Sequence, residues 1–216
     1  MTRDARGTRD RLLEAGTHLF ANRGIDGVTV REINRVAGQR NSSALHYHFG
    51  SRDGLLDAIL TEHRGPIETR RIALLDRLEQ EGRTHDLRAL VETIVLPFGA
   101  ELATRSGRDY LRILPQMIGR YGMSVGRIPE SFGPDGYRRA LRYAHASVPH
   151  LPAPVRWERV SLAMEVVTYA IARRAHDIEC SEPLRVPEET YVTAVVDLAV
   201  GGLLAPVGVG SHDARP

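Results

Sequence analysis

A chain of 216 residues, 42% apolar and 26% charged, has the balance of a globular protein with enough side chains for a sizeable core. No apolar stretch approaches the roughly 20 residues of a membrane-spanning helix, and the N-terminus MTRDARGTRDR is too charged for a signal peptide. We therefore expect a cytoplasmic protein with no membrane partner. A single cysteine, Cys180, excludes an internal disulfide and a cysteine-based zinc cluster.

The positive charge is concentrated at the N-terminal end. Residues 1–64 contain 10 arginines against 8 acidic residues, whereas the rest of the chain is balanced at 19 against 19. Up to Arg52 the count is 9 against 5, a net charge of +4. All 29 basic residues are arginine, which we attribute to a bias of the coding genome. The first quarter is the part of the chain where a polyanion would bind.

The N-terminal region has the pattern of one helix followed by a second, shorter one. Apolar residues recur at helical intervals over residues 9–23, and Gly24 stands where a helix end favours glycine. Thr29 and Glu32 match a capping box, in which each side chain accepts a hydrogen bond from the other residue's backbone amide. We predict a second helix that begins after Thr29 and ends near Gly38.

Two further helix starts follow within a few residues. A third short helix is predicted over about residues 42–48, with Asn41 or Ser42 as its N-cap. Ser51 is placed to cap a fourth helix, whose apolar stripe continues until Pro66 predicts a bend or a restart.

Helical spacing of apolar residues continues to the C-terminus, and no alternating strand pattern of useful length interrupts it. Pro97 and Pro115 lie inside such stripes and predict kinks. Residues 126–136 have the composition of a loop, and Pro187 stands at the start of the last helix. The sequence predicts an all-α protein of about nine helices.

Three short helices in the basic quarter favour a helix-turn-helix, whose second helix braces the third in the major groove of DNA. Serine, asparagine, tyrosine and histidine in and around the third helix offer hydrogen bonds to base edges and phosphates. Helix starts favour phosphate, and arginines near them add charge. The residues predicted to contact DNA are Thr29, Arg31, Arg40, Asn41, Ser42, Ser43, His46, Tyr47, His48 and Arg52.

Residues 9–63 resemble the DNA-binding domain of the TetR family of transcriptional regulators. The resemblance runs through RDRLLEAGTHLFANRGIDGVTVREINRVAG and then LHYHFGSRDGLL. These stretches contain, in the family's order, a phenylalanine and glycine ending the first helix and a threonine-capped helix ending in Ala-Gly. A Tyr-x-His-Phe element and a Ser-Lys/Arg-Asp/Glu helix start follow. The resemblance implies a homodimer that binds a palindromic operator and is released when a small-molecule effector enters a second, larger domain.

Two departures from the family pattern fall near the third helix. The stretch GQRNSSALHYHF is one residue longer than usual, which alters the turn or the start of the recognition helix. His46 replaces the first tyrosine of the Tyr-x-His-Phe element. By resemblance Tyr47 and His48 keep matching positions, and Arg52 replaces a lysine that touches phosphate. Phe49 matches a residue of the core.

The resemblance also implies a division of the chain into a helix-turn-helix DNA-binding domain (1–64), a larger ligand-binding and dimerisation domain (65–205) and a flexible tail (206–216). The last two helices carry long apolar stripes with small residues, which suit a four-helix bundle across a two-fold axis. The alternative is that these stripes pack inside one chain. The residues predicted for the dimer interface are Ala163, Val167, Ala170, Ile171, Val192, Val195, Val196, Ala199 and Leu203.

The effector pocket is expected among the middle helices, where aromatic and flexible apolar side chains occur with a few polar groups. Each candidate could instead be a plain core residue. The pocket candidates are Phe98, Met117, Tyr121, His145, Met164 and Tyr169.

Four other interpretations compete with DNA binding. His46 and His48 could bind a metal, but two histidines two residues apart on a helix point about 200° apart. Tyr47 could be a core aromatic, and Arg31 could lie on a solvated face. The chain could also be a helical module that binds an apolar small molecule and no DNA. No hydrolase, nucleotide-binding or zinc-protease motif is present, so the sequence predicts neither an enzyme nor a cofactor or metal.

Overall fold

The computed structural model describes residues 3–41, 43–121 and 135–208, and over these residues the chain is helical with no strand. The prediction of an all-α protein of about nine helices is confirmed. None of the described helices is both long and apolar enough to cross a membrane. The helices are α1 (Arg3–Arg23), α2 (Val30–Val36), α3 (Ala44–Phe49), α4 (Arg52–Gln80), α5 (Leu87–Ala100), α6 (Arg105–Tyr121), α7 (Asp135–Ala146), α8 (Ala153–Glu179) and α9 (Glu188–Leu204), with a short 3-10 turn at Glu101–Ala103.

Of the helix boundaries predicted in the first quarter, the end at Gly24 and the caps at Thr29 and Ser51 are confirmed. The predicted N-cap of the third helix is wrong, because α3 begins after Ser43 and not after Asn41 or Ser42. Gly24 follows α1 with a φ of 82°, a left-handed conformation that glycine adopts without strain. The amide of Glu32 donates to the Thr29 hydroxyl at 3.3 Å, and the amide of Thr29 donates to the Glu32 carboxylate at 2.9 Å. The hydroxyl of Ser51 accepts from the amide of Gly54 at 2.9 Å, which caps α4.

The helix restart predicted at Pro66 is wrong, and the alternative of a bend at this residue stays a prediction. Helix α4, which is 29 residues long, runs through Pro66 without interruption, and Pro66 is exposed. Apolar residues on both sides of Pro66, Ile59 and Ile67 among them, are buried, so packing outweighs the missing hydrogen bond. Pro97 and Pro115 likewise lie inside continuous helices.

Two hydrophobic clusters lie on either side of the middle of α4. The first, which we call the N-terminal core, contains apolar residues of α1, α2, α3 and the start of α4. The second contains residues of the rest of α4 and of helices α5 to α9. Leu60 of α4 packs against both clusters, and Ile113 of α6 is buried in the N-terminal core. Helices α4 and α6 therefore connect the two parts of the chain.

The residues predicted for the dimer interface lie mostly in the second cluster of their own chain. Eight of the nine are buried, and the ninth, Ala170, is half-buried against the same cluster. The stripes therefore pack within the monomer, which was the alternative interpretation, because α8 lies against α6 and α9, and α9 also lies against α5. A different face of α8 and α9 carries exposed apolar residues: Leu162, Val166, Tyr169, Leu198 and Leu204.

The remaining boundary predictions concern loops and the last helix. Pro187 is the N-cap residue of α9, and the acidic residues Glu188 and Glu189 occupy its first turn, where negative charge suits the helix dipole. Most of the predicted loop (residues 126–134) and most of the predicted tail (residues 209–216) lie outside the described residues.

Candidate functional site

Helix α3 presents His46 and Tyr47 to solvent and is held by the buried Leu45. Leu45 is fully buried in the N-terminal core, whereas 81% of Tyr47 is exposed. The ring of Tyr47 meets the ring of the half-buried His48 edge-on, with 5.0 Å between centroids. Phe49 packs against the N-terminal core. Tyr47 is therefore a surface residue, which removes the interpretation that it belongs to the core.

His46 has a structural partner at the end of the same helix. Its Nδ1 lies 2.9 Å from the carbonyl oxygen of Gly50, and because a carbonyl can only accept, Nδ1 carries the proton. The bond satisfies one of the carbonyl groups that follow the last turn of α3. No group of three or more metal-ligating side chains occurs within the described ranges.

The turn between α2 and α3 is fixed by side chains that the sequence analysis did not single out. Gly38 has a φ of 67°, and the amide of Gln39 donates to the carbonyl of Asn34 at 2.8 Å, as in a Schellman motif. The side-chain oxygen of the buried Asn34 accepts from the amide of Leu45 at 3.3 Å, at the start of α3. A polar residue between the apolar Ile33 and Ala37 was the available signal.

Arg52 has different contacts from those expected for a phosphate ligand. Its Nη1 donates to the carbonyls of Ile25 at 3.1 Å and Val28 at 3.2 Å, and its Nη2 lies within 4 Å of Asp26 and Asp53. The side chain therefore ties the start of α4 to the connection between α1 and α2. This placement makes Arg52 a positioning residue, and its contact with phosphate stays a prediction.

The other residues predicted to contact DNA are exposed, apart from Ser42, which lies outside the described residues. Arg31 lies on α2, and Arg40, Asn41 and Ser43 lie in the turn and at the start of α3. The Asn41 side chain accepts from the amide of Ser43 at 2.9 Å, and no ion pair of the described residues includes Arg31 or Arg40.

The hydroxyl of Thr29 is occupied by the capping box. It donates to Glu32 at 2.8 Å, and the hydrogen bonds from Thr29 hold the pKa of Glu32 below its usual range. Glu32 also pairs with Arg23 at 2.9 Å. The carboxylate of Glu32 at this helix start therefore stays ionised, and its charge is balanced by Arg23.

Helix α6 contacts α1 and the residues that follow α1 through polar groups. Gln116 accepts from the amide of Ile25 at 2.9 Å and donates to the carbonyl of Phe20 at 3.2 Å. His18 of α1 lies 3.1 Å from the carboxylate of Asp109, whose pKa is raised by burial although His18 opposes the shift. These contacts hold the end of α1 against a helix of the second cluster.

The structure does not bring the six predicted pocket residues together. Met164 is buried in the second cluster, but Met117 packs against the N-terminal core and Tyr169 is exposed on α8. The half-buried ring of His145 packs against the ring of Trp157 at a tilt of 45°, with 4.0 Å between centroids. Burial, reinforced by the nearby Arg156, lowers the pKa of His145. The side chain of Tyr121 lies outside the described residues.

The sixth candidate, Phe98, belongs to a cluster around a buried arginine that we call the Arg71 cluster: Arg71, Glu68, Phe98, Tyr110 and Tyr137. The Arg71 side chain is 2% exposed, and its guanidinium carbon lies 5.5 Å from the ring centre of Phe98 and 5.2 Å from that of Tyr137. Glu68 pairs with Nη1 of Arg71, and its second oxygen accepts from the amide of Gly136 at 3.0 Å.

The charge of Arg71 persists in this apolar setting. Burial lowers the pKa of Arg71 to about 10, so the group is protonated at neutral pH. Burial also raises the pKa of Tyr110 and Tyr137 above their usual range, so both phenols are neutral. No sequence motif indicates this cluster. The one signal is the position of Arg71, four residues after Ile67 and four before Leu75, on the buried stripe of α4.

Comparison with known proteins finds a family match for the N-terminal helices of the chain. Residues 12–59 match the family model described as bacterial regulatory proteins, tetR family. The match covers the helices α2 and α3 and the capped start of α4 described above.

Two curated relatives match over the same end of the chain. The HTH-type transcriptional repressor KstR2 of Rhodococcus jostii is 43% identical over 54 residues, which are 25% of this chain and 26% of the repressor. The uncharacterised HTH-type transcriptional regulator TtgW of Pseudomonas putida is 31% identical over 65 residues, 30% of this chain and 48% of the regulator. The matched part thus spans about a quarter of one relative and half of the other.

Solved structures resemble the chain over more of its length but weakly. A chain described as a TetR-family transcriptional regulator from Rhodococcus sp. covers 92% of this chain, and this chain covers 99% of it, at 19% identity and a TM-score of 0.45. A second TetR-family regulator, from Mesorhizobium loti, covers 94% of this chain, and this chain covers 98% of it, at 16% identity and a TM-score of 0.41. At these scores neither likeness carries an argument. The likeness to this family rests on the N-terminal match: residues 12–59 are similar to bacterial regulatory proteins of the tetR family.

Proposed function

We propose that the protein is a transcriptional regulator that binds double-stranded DNA with α3 and binds a palindromic operator as a homodimer. A small-molecule effector in the second domain releases it from DNA. The observation that carries the proposal is the match of residues 12–59 to the tetR family, over the unit in which α3 presents its polar side chains to solvent. The relatives' names, a transcriptional repressor and a transcriptional regulator, favour repression.

The exposed groups on α2, the turn and α3 suit the two kinds of contact that a DNA-binding helix makes. Asn41 and Ser43 have donors and acceptors for base edges, which determine sequence preference. Arg31, Arg40 and Tyr47 can donate to phosphates, which supply affinity that depends on salt. Leu45 and Asn34 fix the helix that carries these groups, so the exposed side chains need no reorganisation of the backbone on binding.

Dimerisation is supported by the exposed apolar face of α8 and α9 and not by the stripes predicted from sequence. Leu162, Val166 and Tyr169 recur at helical spacing along α8, and each is more than 40% exposed. Leu198 and Leu204 are exposed on α9. We place a second copy of the chain on this face. To read two half-sites one turn of DNA apart, the two copies of α3 need a separation of about 34 Å.

Communication between effector and DNA is supported by the two helices that join the clusters. Helix α4 runs without interruption from Arg52, which positions the start of the helix, to the Arg71 cluster. Helix α6 contacts α1 through Gln116 and Asp109. An effector that shifts either helix would change the spacing of the two α3 helices in a dimer, which is a population shift between two arrangements.

The proposal is tested by gel-shift titration with DNA taken from beside the protein's own gene, at several salt concentrations. We expect sequence-specific binding by the dimer, and a salt dependence whose slope falls by about one unit in Arg40→Gln, because one phosphate contact is lost. Arg77→Gln is the matched control, since Arg77 is an exposed arginine near the far end of α4 that pairs with Glu81 at 2.8 Å.

Two outcomes would contradict the proposal. If the purified dimer shows no salt-sensitive preference for any fragment, DNA regulation is wrong and a helical module that only binds a small molecule is favoured. If Arg40→Gln and Arg77→Gln change affinity equally, the turn before α3 does not contact DNA as proposed. Equilibrium sedimentation of Leu162→Glu, which puts charge on the exposed α8 face, tests the dimer: the variant is expected to be a monomer.

A further inference from the structure

We propose that Arg71 forms a binding site for an organic carboxylate in the second domain, and that such an acid is the effector. The effector role rests on the proposed function, whereas binding of the acid does not. The proposal starts from the atoms of Arg71 that are not used inside the chain. Its Nε and Nη2 are buried and have no hydrogen-bond partner in the part of the chain that the structure describes.

These two nitrogens are a matched pair. In a guanidinium group the Nε–H bond and one Nη2–H bond run parallel on the same edge, at the separation of the two oxygens of a carboxylate. The remaining nitrogen, Nη1, is occupied by Glu68. Arg71 therefore has one edge in use and one two-pronged edge without an acceptor.

Among the described residues, the surroundings provide no acceptor for that edge. Phe98 and Tyr137 contribute ring faces, which attract the cation but do not accept two in-plane hydrogen bonds. Glu68 cannot turn to serve the second edge without leaving the amide of Gly136, to which it is bonded at 3.0 Å. Buried polar groups in folded proteins nearly always have partners, so an external acceptor is the simplest complement.

The same surroundings indicate what the rest of the ligand resembles. Phe98 and Tyr137 lie beside the guanidinium, and Ile67 is buried one helical turn away on α4. Aromatic and aliphatic walls with one convergent charged group are typical of sites for small organic molecules. The ligand is therefore an acid with an apolar body and one carboxylate, bound with its charge inward at Arg71.

The matching double variant makes the test independent of folding. Arg71→Met alone leaves the buried Glu68 without its cation, whereas Glu68→Gln/Arg71→Met removes both charges and keeps an acceptor for Gly136. Arg71→Lys retains the charge but not the parallel pair of donors. Arg77→Gln, an exposed arginine on the same helix, is the control.

The probes are linear carboxylates of four to twelve carbons and substituted benzoates, each paired with its own primary amide and with the corresponding phosphate monoester. Binding is measured without DNA, by thermal unfolding and then by titration calorimetry. We expect at least one carboxylate to bind wild type and Arg77→Gln equally, and at least tenfold more tightly than its amide. The same carboxylate should bind at least tenfold more weakly to Arg71→Lys and to the double variant.

Several results would overturn the proposal. No carboxylate binding better than its amide, or equal binding to wild type and the double variant, would remove the site. A tenfold preference for the phosphate monoester would overturn the carboxylate assignment. The effector role is then measured by adding the bound acid to the protein–DNA complex: unchanged operator affinity overturns that role. If the ligand-free protein does not bind DNA at all, the proposed function fails, and the carboxylate site is still decided by calorimetry.

Discussion

Helix α3 and the Arg71 cluster both carry conspicuous polar groups, but they do so in opposite environments. Tyr47 is 81% exposed and Arg40 and Asn41 are exposed, so water satisfies their hydrogen bonds when no DNA is bound. Arg71 is 2% exposed and depends on Glu68 and on the rings around it. Substitutions on α3 should therefore alter DNA binding with little effect on folding, whereas substitutions at Arg71 should alter both ligand binding and folding.

The largest expected effect on folding comes from Arg71→Met. The substitution leaves Glu68, which is itself buried, without its cation, and breaking one side of a buried ion pair costs about 3–5 kcal/mol of unfolding free energy. Glu68→Gln/Arg71→Met should recover most of that loss, because no charge remains buried. Urea unfolding at one fixed protein concentration measures both, since a dimer's stability depends on concentration.

Arg77→Gln provides the scale for that comparison. Arg77 is an exposed residue of the same helix, and its pair with Glu81 is a surface ion pair, so its loss should change the unfolding free energy by about 0.5 kcal/mol or less. A double variant no more stable than Arg71→Met would show that the cost comes from lost packing and not from the unpaired carboxylate.

The next largest effect is expected for Asn34, a buried polar residue of α2. Asn34→Ala removes the acceptor for the amide of Leu45, and leaving a buried donor unsatisfied costs about 1–3 kcal/mol. We also expect faster hydrogen exchange of the Leu45 amide, because the start of α3 loses its attachment to α2. Arg35→Ala, an exposed neighbour on α2, is the control; equal stability of the two variants would mean that Asn34 does not fix the turn.

The difference between these two regions also explains what the sequence could predict. The caps at Thr29 and Ser51 and the end at Gly24 depend on residues within a few positions of one another, so their chemistry is visible in the sequence. The partners of Arg52 and Asn34 come from other helices and depend on how those helices pack. Arg71 is one of 29 arginines, and only its place on the buried stripe of α4 distinguishes it.

The predicted dimer face shows the same limit. Long apolar stripes on the last two helices established that α8 and α9 bury much of their surface. They could not establish whether the buried face meets another helix of the same chain or a second chain, because both use the same residues. In the structure Val167 and Val196 lie in the monomer core, and Leu162 and Leu198 are exposed. Only the packing of α5 and α6 against these helices decides between the faces.

An intermediate effect is expected for Glu101, a buried carboxylate that has partners. Burial alone would raise its pKa, but hydrogen bonds from His63 at 3.1 Å and Arg70 at 2.8 Å hold the pKa below its usual value of 4.5. A carboxylate with a lowered folded-state pKa stabilises the protein above its unfolded-state value and loses that contribution as pH falls through the folded-state value. Glu101→Gln should therefore be less stable than wild type at pH 6–7.

The same linkage gives the sign of the pH dependence. The difference in unfolding free energy between wild type and Glu101→Gln should shrink below about pH 4.5, where the unfolded wild type binds a proton more readily than the folded protein does. Urea unfolding in a series of buffers from pH 7 to pH 4 measures it. A difference that grows as the pH falls would show that burial, and not the partners, controls this carboxylate.

The smallest effect on folding is expected at the opposite end of the comparison. Tyr47→Phe removes one exposed hydroxyl from α3, so the unfolding free energy should change by about 0.5 kcal/mol or less. If Tyr47 donates to a phosphate, operator affinity should fall by the value of one hydrogen bond, about 0.5–1.5 kcal/mol or roughly two- to thirteenfold. The loss should be similar for every DNA sequence, because phosphates carry no sequence information. Tyr143→Phe is the control. It removes a hydroxyl of α7 that donates to Glu79 near the end of α4, and it should leave DNA affinity unchanged. Equal DNA affinities of Tyr47→Phe and wild type, measured by gel shift at low salt, would place the phosphate contact on another residue of the α3 face.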